Sequence, residues 1–424
     1  MALLGILFLV LVVMVSIGLH EVGHLTPAKK FGVKVTQYMI GFGPTIWSRK
    51  KGDTEYGIKA IPLGGYIRMI GMVPPAKNGV LAKGPFAELV NTARQQSMDE
   101  IEPGDENKAF YKLSVPKKLT VMIGGPFMNL ILAFVFFTAS FVGIGFPEAT
   151  NKIEQVVSCL PIEVNVLGDC EIGSSSSPAS KAGLAPDDQI IKFNNKEVKN
   201  WPDLSEAISN SQSGSTPITV LRGNEELKLN ANIVLANRTQ SLDATSVEKP
   251  TPYLGISPKI VLVRQPVSSV FETLGQITIS TGQVLWTLPE RVGQLFGAAF
   301  LGEKRDPEGL VGIVGVTRVG GEIAAAQAPA LWRFGTLLNL AGGLNMALFL
   351  FNLLPLLPLD GGHVAGAIYE GLRRNVARFR KKPDPGPADT SKMLPFAYSM
   401  AMVLIGLSLL LIYVDVVNPI RLGG

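Results

Sequence analysis

The residues best suited to chemistry are two histidines and a glutamate near the start of the chain. His20, Glu21 and His24 form the pattern His-Glu-x-x-His. On a helix, residues four positions apart share a face, so both imidazoles can bind one Zn²⁺. Glu21 is then placed to take a proton from a water molecule that the metal activates. The pattern therefore predicts a metal-dependent hydrolytic site.

A third ligand has to come from elsewhere, because catalytic zinc sites use three protein ligands and one open position. The chain has three histidines, and the third is His363. Asp360 stands just before it, at the end of an apolar segment, where burying an unpaired carboxylate is costly. Pro355 and Pro358 would break the helix there, and Gly361-Gly362 would permit a sharp turn. Asp360 and His363 are both candidates for the third ligand.

The element that carries the first motif is apolar enough to span a bilayer. Hydrophobic residues make up 47% of the 424 residues, charged residues 17%, and the mean hydropathy is +0.29. Four runs lack charge and reach the length of a transmembrane helix, namely Ala2–Leu19, Leu119–Phe146, Phe334–Leu359 and Met393–Val414. Buried core helices are the alternative for any one run. The first run lacks the flanks of a cleaved signal peptide, so we expect it to be retained.

Basic residues lie next to these runs and predict their orientation. They are Lys29, Lys30, Lys34, Lys112, Lys117, Lys118 and the six within 373–382. By the positive-inside rule, the connections that carry them are cytoplasmic. The N-terminus, the 147–331 segment and the C-terminus then lie outside. The net charge of +5 is no evidence for nucleic-acid binding. Cys159 and Cys170 fall in the outer segment, where a disulfide is favoured over two free thiols.

Two further segments have recognisable patterns. Between Val33 and Met72, four short β-prone pieces are separated by Gly/Pro turn signals. We expect a small sheet against the membrane beside the metal helix, with a plain cytoplasmic β-domain as the alternative; its edge could accept an extended peptide. Pro74–Pro116 is polar and weakly patterned, and is predicted to be a flexible connection. Residues 261–332 are predicted to form interfacial or partner-packing helices.

The 148–260 segment is predicted to be soluble. From Ser177 to Val198 it has a short helix, a turn, an apolar strand and an Asn194-Asn195 hairpin. A helix at Asp203–Ile208 and two more strands follow. This order resembles the PDZ modules of bacterial envelope proteases. Such modules hold peptide ends or extended strands; a spacer that only excludes bulky substrates is the alternative.

Taken together, the motifs resemble the site-2 protease family of intramembrane zinc metalloproteases. The resemblance rests on His-Glu-x-x-His and on Asn352-x-x-Pro-x-x-Pro-Leu-Asp-Gly-Gly-His363. Gly41-Phe-Gly-Pro44, Pro62-Leu-Gly-Gly-Tyr66 and Gly124-Gly-Pro126 with Asn129 extend it over most of the chain. Within the family, the chain is most similar to bacterial regulator-of-sigma proteases of the actinobacterial type, which have a single PDZ domain.

The resemblance implies roles for individual residues. Zinc would be bound by His20, His24 and Asp360, with Glu21 as the general base. Asn352 would hold the substrate backbone. Asn345 stands seven residues earlier, on the same helix face, and is a weaker candidate for the same role because its spacing departs from the enterobacterial pattern.

The resemblance also implies regulated intramembrane proteolysis. A site-1 protease would first trim a single-span substrate, such as an anti-sigma factor, and this chain would then cut the remainder near the cytoplasmic face of the cell membrane. Signal-peptide remnants are a second substrate class. The alternatives are a catalytically idle PDZ scaffold and a metal-transporting channel. The intact Glu21 opposes the scaffold, and the lack of charged residues in the second and fourth runs opposes the channel.

The sequence thus predicts a polytopic α-helical membrane protein with about four transmembrane helices, a membrane-associated β-sheet and an extracytoplasmic PDZ (α+β) domain. The predicted segments are transmembrane helices at 1–26, 119–147, 333–360 and 393–416, a cytoplasmic-side segment at 27–118 with β elements at 33–72, the PDZ domain at 148–260, interfacial helices at 261–332, a cytoplasmic loop at 361–392 and an extracytoplasmic tail at 417–424.

Overall fold

The chain folds into two compact units in a computed structural model. The model describes residues 1–76, 82–84, 86–160, 175–236, 251–303, 305–306 and 309–419. The first unit comprises residues 1–144 and 265–424, and the second comprises residues 145–264. Cys159 is buried in the second unit. Its predicted partner Cys170 lies outside the described residues, so the disulfide stays a prediction.

The first unit is built around four long apolar helices. They are α1 (Ala2–Lys30), α3 (Val115–Thr138, extended by a π-helical turn at Ala139–Ile144), α9 (Ala330–Asn352) and α11 (Leu394–Val417, preceded by a 3₁₀ turn at Thr390–Met393). Within the described residues, these four are long and apolar enough to cross a membrane, and each overlaps one predicted span. Large apolar side chains point outward from them, as lipid contact requires; Met402 of α11, for example, is 69% exposed.

Helices α1 and α3 approach closely through glycines. A Cβ atom on Gly23 would overlap the backbone of Gly124, and a Cβ on Gly124 would overlap the Gly23 carbonyl. Small residues are the usual means of close helix packing in membranes, where the hydrophobic effect does not drive helices together. The crossing lies next to His24 and brings α3 against the predicted metal site.

Helix α1 is longer than the sequence indicates. The predicted span ends at residue 26, but the helix continues to Lys30 with Pro27 inside. Proline removes only one backbone donor, the one that would pair with Gly23. Lys29 and Lys30 in the last turn interact favourably with the helix dipole. The helix therefore ends about one turn after the predicted span.

The predicted β-sheet is present as two long, bent strands, β1 (Val35–Lys51) and β2 (Thr54–Met69). Residues 37–40 pair with 55–58 on one side and with 65–68 on the other, while 47–51 pair with 54–58. The paired segments therefore lie in the order 65–69, 35–40, 54–58, 47–51. They overlap the four predicted pieces, which are Tyr66–Ile70, Val35–Ile40, Tyr56–Ile61 and Thr45–Trp47. Gly41, Gly43 and Gly64 have positive φ where the strands bend back, which explains the turn signals.

Residues 86–116 are ordered, in contrast to the flexible connection that we predicted. They form α2 (Ala87–Asp99) and two 3₁₀ turns, Glu106–Lys108 and Phe110–Lys112. Lys34 Nζ lies 2.6 Å from Glu102 and 2.5 Å from Asp105, and Arg68 lies 2.6 Å from Glu100. Glu100, Glu102 and Asp105 of this segment are thus paired with cations of the sheet region. Local composition does not reveal such pairs.

The remaining helices of the first unit are α6 (Val267–Trp286), α7 (Leu288–Phe296), a π-helical turn Gly297–Leu301, α8 (Ile313–Ala325) and α10 (Asp360–Phe379). Helix α8 packs against α1, where Gly5 meets Gly320 and Ala324. Helix α10 occupies most of the predicted 361–392 loop. Asp360 therefore begins a helix instead of ending a span, because residues 353–359, with their two prolines, interrupt the helix.

The second unit is a mixed α and β domain. Its strands are β3 (Phe146–Val156), β4 (Gln189–Phe193), β5 (Lys196–Glu197), β6 (Gly214–Arg222), β7 (Glu225–Ala236), β8 (Thr251–Tyr253) and β9 (Ile256–Val263), with helices α4 (Pro178–Lys181) and α5 (Trp201–Ser209). The sheet order is β8-β7-β6-β4-β3-β9, and β5 pairs with β4. Asn194 and Asn195 have positive φ in the β4–β5 hairpin, as its sequence predicts. The elements follow the predicted order, while the PDZ assignment itself stays a prediction.

The close crossing of α1 and α3 predicts that a larger residue at position 124 lowers the stability of the protein. We expect Gly124→Ala to lower the stability of the detergent-solubilised protein by about 1–3 kcal/mol, because its methyl group would press on the Gly23 carbonyl. Thermal unfolding followed by size-exclusion chromatography measures this as a lower Tm. Gly406→Ala in α11 is the matched control, since its Cβ would meet open space; its Tm should be unchanged or higher. Equal Tm values for both variants would contradict the packing account.

Candidate metal centre

Three predicted ligands lie together where α1 meets the start of α10. The Nε2 atoms of His20 and His24 are 3.2 Å apart, and Asp360 Oδ2 lies 3.2 Å from the first and 3.3 Å from the second. Within the described residues, these three side chains are the ones whose ligand atoms lie close enough together to hold one metal ion. One atom from each residue thus points toward a common centre.

The spacing of these atoms fits a tetrahedral zinc site. Nitrogen and carboxylate ligands bind Zn²⁺ at about 2.0–2.1 Å, so two ligands at the tetrahedral angle lie roughly 3.3–3.4 Å apart. All three observed separations are within about 0.2 Å of that value. Two neutral imidazoles and a carboxylate are also a donor set that suits Zn²⁺. The residues present therefore fit the predicted metal.

The second nitrogen of each imidazole is held by helix α3. His24 Nδ1 lies 2.7 Å from the Val121 carbonyl, to which it donates, leaving Nε2 unprotonated for a metal. His20 Nδ1 lies 3.1 Å from the side-chain amide nitrogen of Asn129. The Asn129 amide oxygen is buried and has no hydrogen-bond partner among the described residues. Rotating this amide by 180° would let the oxygen accept from Nδ1–H, which leaves Nε2 of His20 free as well.

In the sequence, Asn129 contributes to the family resemblance as a polar residue inside a predicted span. Its partner was not predicted, because nothing in the local sequence relates α3 to His20. The one sequence feature that pointed to a partner was the free-energy cost of burying a polar side chain within an apolar helix. Asn129 is 1% exposed.

Glycines let Asp360 reach the histidines. A Cβ on Gly361 would overlap the backbone of Leu353 and Leu354, and a Cβ on Gly362 would lie 2.7 Å from the Leu357 nitrogen. The first turn of α10 therefore packs directly on the chain that leaves α9. We expected these glycines to form a turn, but they lie within the helix and are required by close packing.

The side chain of Glu21 extends from α1 toward the β-sheet. It is 8% exposed, and its carboxyl group lies near the backbone of Ile67. A Cβ on Gly65 would lie 3.1 Å from Glu21 Cγ, so a glycine is needed for the sheet to reach the helix. Tyr38 adds a hydrogen bond of 2.8 Å to the Gly18 carbonyl. The edge segment 65–69 thus borders the predicted general base.

His363, the alternative third ligand, is not part of the group that could hold a metal within the described residues. It lies one turn beyond Asp360 on α10. There it borders a small cavity of about 30 Å³ with Lys118 and Glu370. The geometry therefore favours Asp360.

The two asparagines predicted to bind substrate lie in different surroundings. Asn352 is the last residue of α9 and is half-buried. Asn345 is fully buried and lines a cavity of about 230 Å³ between α1, α8 and α9. Ser16, one turn before His20, lines the same cavity. Asn345 Oδ1 and Ser16 Oγ have no hydrogen-bond partner among the described residues.

Comparisons with known proteins agree with this geometry. Residues 8–383 match the family model described as Peptidase family M50. The chain is 32% identical to the zinc metalloprotease Rip1 of Mycobacterium tuberculosis over 429 residues, covering 99% of this chain and 98% of the relative. It is 32% identical to Rip1 of Mycolicibacterium smegmatis over 437 residues, with coverage of 99% and 98%. A putative zinc metalloprotease of Clostridium perfringens is 26% identical over 424 residues, with coverage of 98% and 99%.

A family model that covers most of the chain and relatives aligned along nearly their whole length confirm the resemblance that the motifs predict. The chain belongs to Peptidase family M50, the site-2 protease family of zinc metalloendopeptidases.

Proposed function

We propose that this protein is an intramembrane zinc endopeptidase in which His20, His24 and Asp360 bind the metal and Glu21 is the general base. The observation that carries the proposal is the set of three ligand atoms 3.2–3.3 Å apart. They lie on helices of a membrane protein, beside a buried glutamate from the same His-Glu-x-x-His turn.

When bound, Zn²⁺ supplies Lewis acidity that polarises the scissile carbonyl and makes water more acidic. Glu21 accepts the proton of the attacking water and later donates it to the leaving amine. The buried surroundings of Glu21, which include the nearby backbone of Ile67, limit the positions that its carboxylate can take. Val121 and Asn129 orient the two imidazoles so that Nε2 of each faces the centre.

The substrate class follows from the surroundings of the site. A transmembrane helix pairs its backbone amides internally, so it has to be unwound before its peptide bonds can be attacked. The 65–69 segment is an outer edge of the sheet and borders Glu21. We propose that an extended substrate strand pairs with this edge. Asn352, and more weakly Asn345, hold the same strand from α9.

The cavity beside α1 supports a role for Asn345. A buried polar atom without a partner costs free energy. Asn345 Oδ1 and Ser16 Oγ are two such atoms among the described residues, and both residues line this cavity. A substrate backbone could supply an N–H to the first and a carbonyl to the second. The other cavity-lining residues are mostly apolar, which suits the side chains of a membrane segment.

We propose that the protein spans the cell membrane with the N-terminus, the 145–264 unit and the C-terminus outside, and the site toward the cytoplasm. The positive-inside distribution of lysine and arginine supports this orientation. Reaction of a tag introduced in each connection with a membrane-impermeant reagent tests it.

We further propose that the substrates are single-span proteins of the anti-sigma type, and signal-peptide remnants, after a first extracytoplasmic cut by a site-1 protease. The 145–264 unit, which we assign as a PDZ domain, then excludes or docks uncut substrates. Strand β9 lies at one edge of the described sheet, and its Ile260 is 61% exposed. Cleavage of a truncated but not of a full-length single-span protein tests this sequence of events.

The first prediction for the proposed function concerns the metal centre itself. Glu21→Gln should retain zinc but lower cleavage of a single-span model substrate by at least about 10²-fold, because the general base is lost. Asp360→Asn should lower the zinc content, because a carboxylate ligand becomes a neutral amide. Metal analysis and a gel-based cleavage assay on the same detergent preparations measure both.

His363→Ala is the matched control for Asp360→Asn, since both residues lie in the first turn of α10. It should keep its zinc. Zinc lost in His363→Ala but retained in Asp360→Asn would contradict the ligand assignment, and full cleavage by Glu21→Gln would contradict the protease mechanism.

The second prediction concerns the two fully buried asparagines. Asn129→Ala should weaken zinc binding by about 10–100-fold, measured by competition with a chelator, because His20 loses its orienting partner. Asn345→Ala should bind zinc as the wild type does and lower kcat/KM for the substrate. The reverse pattern would exclude both roles.

The third prediction concerns the sheet edge. Ile67→Pro removes a backbone N–H near Glu21 and should abolish cleavage while zinc remains bound. Arg49→Pro, on the opposite outer edge of the sheet, is the control and should retain cleavage. If Ile67→Pro cleaves normally, substrate does not pair with this edge.

A further inference from the structure

Helix α10 presents an apolar stripe that no described part of the chain covers. Ile368, Leu372, Val376 and Phe379 recur at helical spacing, and Tyr369 lies beside them. These side chains are 48–60% exposed, except Phe379, which is 91% exposed. The opposite face is buried and includes Ala367 and Glu370. The helix is therefore amphipathic, with its apolar side turned outward.

Cations cluster at the end of this stripe. Residues 373–389 contain six basic and two acidic residues. Arg373 and Arg374 are used within the protein: the first donates to the Gly386 and Pro387 carbonyls, and the second pairs with Glu370. The other four, Arg378, Arg380, Lys381 and Lys382, are exposed and form no ion pair with a described residue.

Contacts of α10 fix its level relative to the spans. Glu370 lies 2.8 Å from Lys118, which is the last charged residue before the uncharged stretch of α3. A Cβ on Gly371 would lie 3.2 Å from Val115, the first residue of α3. The middle of α10 therefore packs on the polar end of a candidate span. An amphipathic helix at that level lies at the boundary between lipid and water.

We propose that the outward face of α10 is a binding surface for anionic phospholipid. Its apolar stripe enters the acyl-chain boundary, and Arg378, Arg380, Lys381 and Lys382 bind lipid phosphates. Basic amphipathic helices bind membranes by this combination of apolar burial and charge attraction. Since Asp360 begins the same helix, the lipid would also orient the helix that carries the proposed third ligand.

The test compares phosphatidylglycerol with phosphatidylcholine binding to the full-length protein in detergent, by native mass spectrometry. The wild type should retain phosphatidylglycerol preferentially. The combined variant Arg378→Glu, Lys381→Glu, Lys382→Glu should lose this preference by about tenfold or more, because each cation near an anionic lipid surface contributes to its attraction. Lys192→Glu, Lys196→Glu, Lys199→Glu, on exposed lysines of the other unit, is the matched control and should keep the preference.

Zinc content checks that α10 is intact in each variant. If the glutamate variant does not fold, the corresponding glutamine variant is measured instead and should show a smaller loss in the same direction. Equal retention of both lipids by the wild type, or an equal loss in both triple variants, overturns the proposal. So does a Phe379→Ser variant that changes the oligomeric mass without changing lipid retention, since the stripe would then bind a second copy of the chain.

Discussion

The structure depends on bringing one carboxylate to two imidazoles that are far away in the chain. His20 and His24 share one face of α1, so their separation follows from helix geometry alone. Asp360 belongs to another helix, and its oxygen lies 3.2–3.3 Å from both ring nitrogens. At that spacing the group matches a tetrahedral zinc site, and a shift of one ångström would leave it unable to bind tightly.

Close backbone contacts meet this constraint. Gly23 and Gly124 let α3 reach α1, and Gly361 and Gly362 let α10 pack on the end of α9. The ion pair between Lys118 and Glu370, both nearly fully buried, joins α3 to α10. Breaking one partner of such a pair is strongly destabilising. The same helix α3 also supplies the groups that orient both imidazoles, so packing and ligand geometry are coupled.

The sequence predicts the residues of the candidate site better than the contacts that position them. His-Glu-x-x-His indicates two candidate ligands and a candidate base by spacing, while the family resemblance distinguishes Asp360 from His363 and the geometry favours Asp360. The four β pieces and the four apolar helices were also predictable from local pattern. The contact of Asn129 with His20 and the salt bridges of Lys34 join distant segments, and no local pattern contains them. The glycines of α10 were misread because close packing and a turn both require glycine.

The most direct test of the account is the zinc K-edge X-ray absorption spectrum of the purified wild-type protein. The account predicts a first shell of nitrogen and oxygen at about 2.0–2.1 Å, with scattering from two imidazoles. Scattering from three imidazoles would mean that His363 is a ligand. A spectrum with sulfur in the first shell, or a protein that binds no zinc, would contradict the proposed centre altogether.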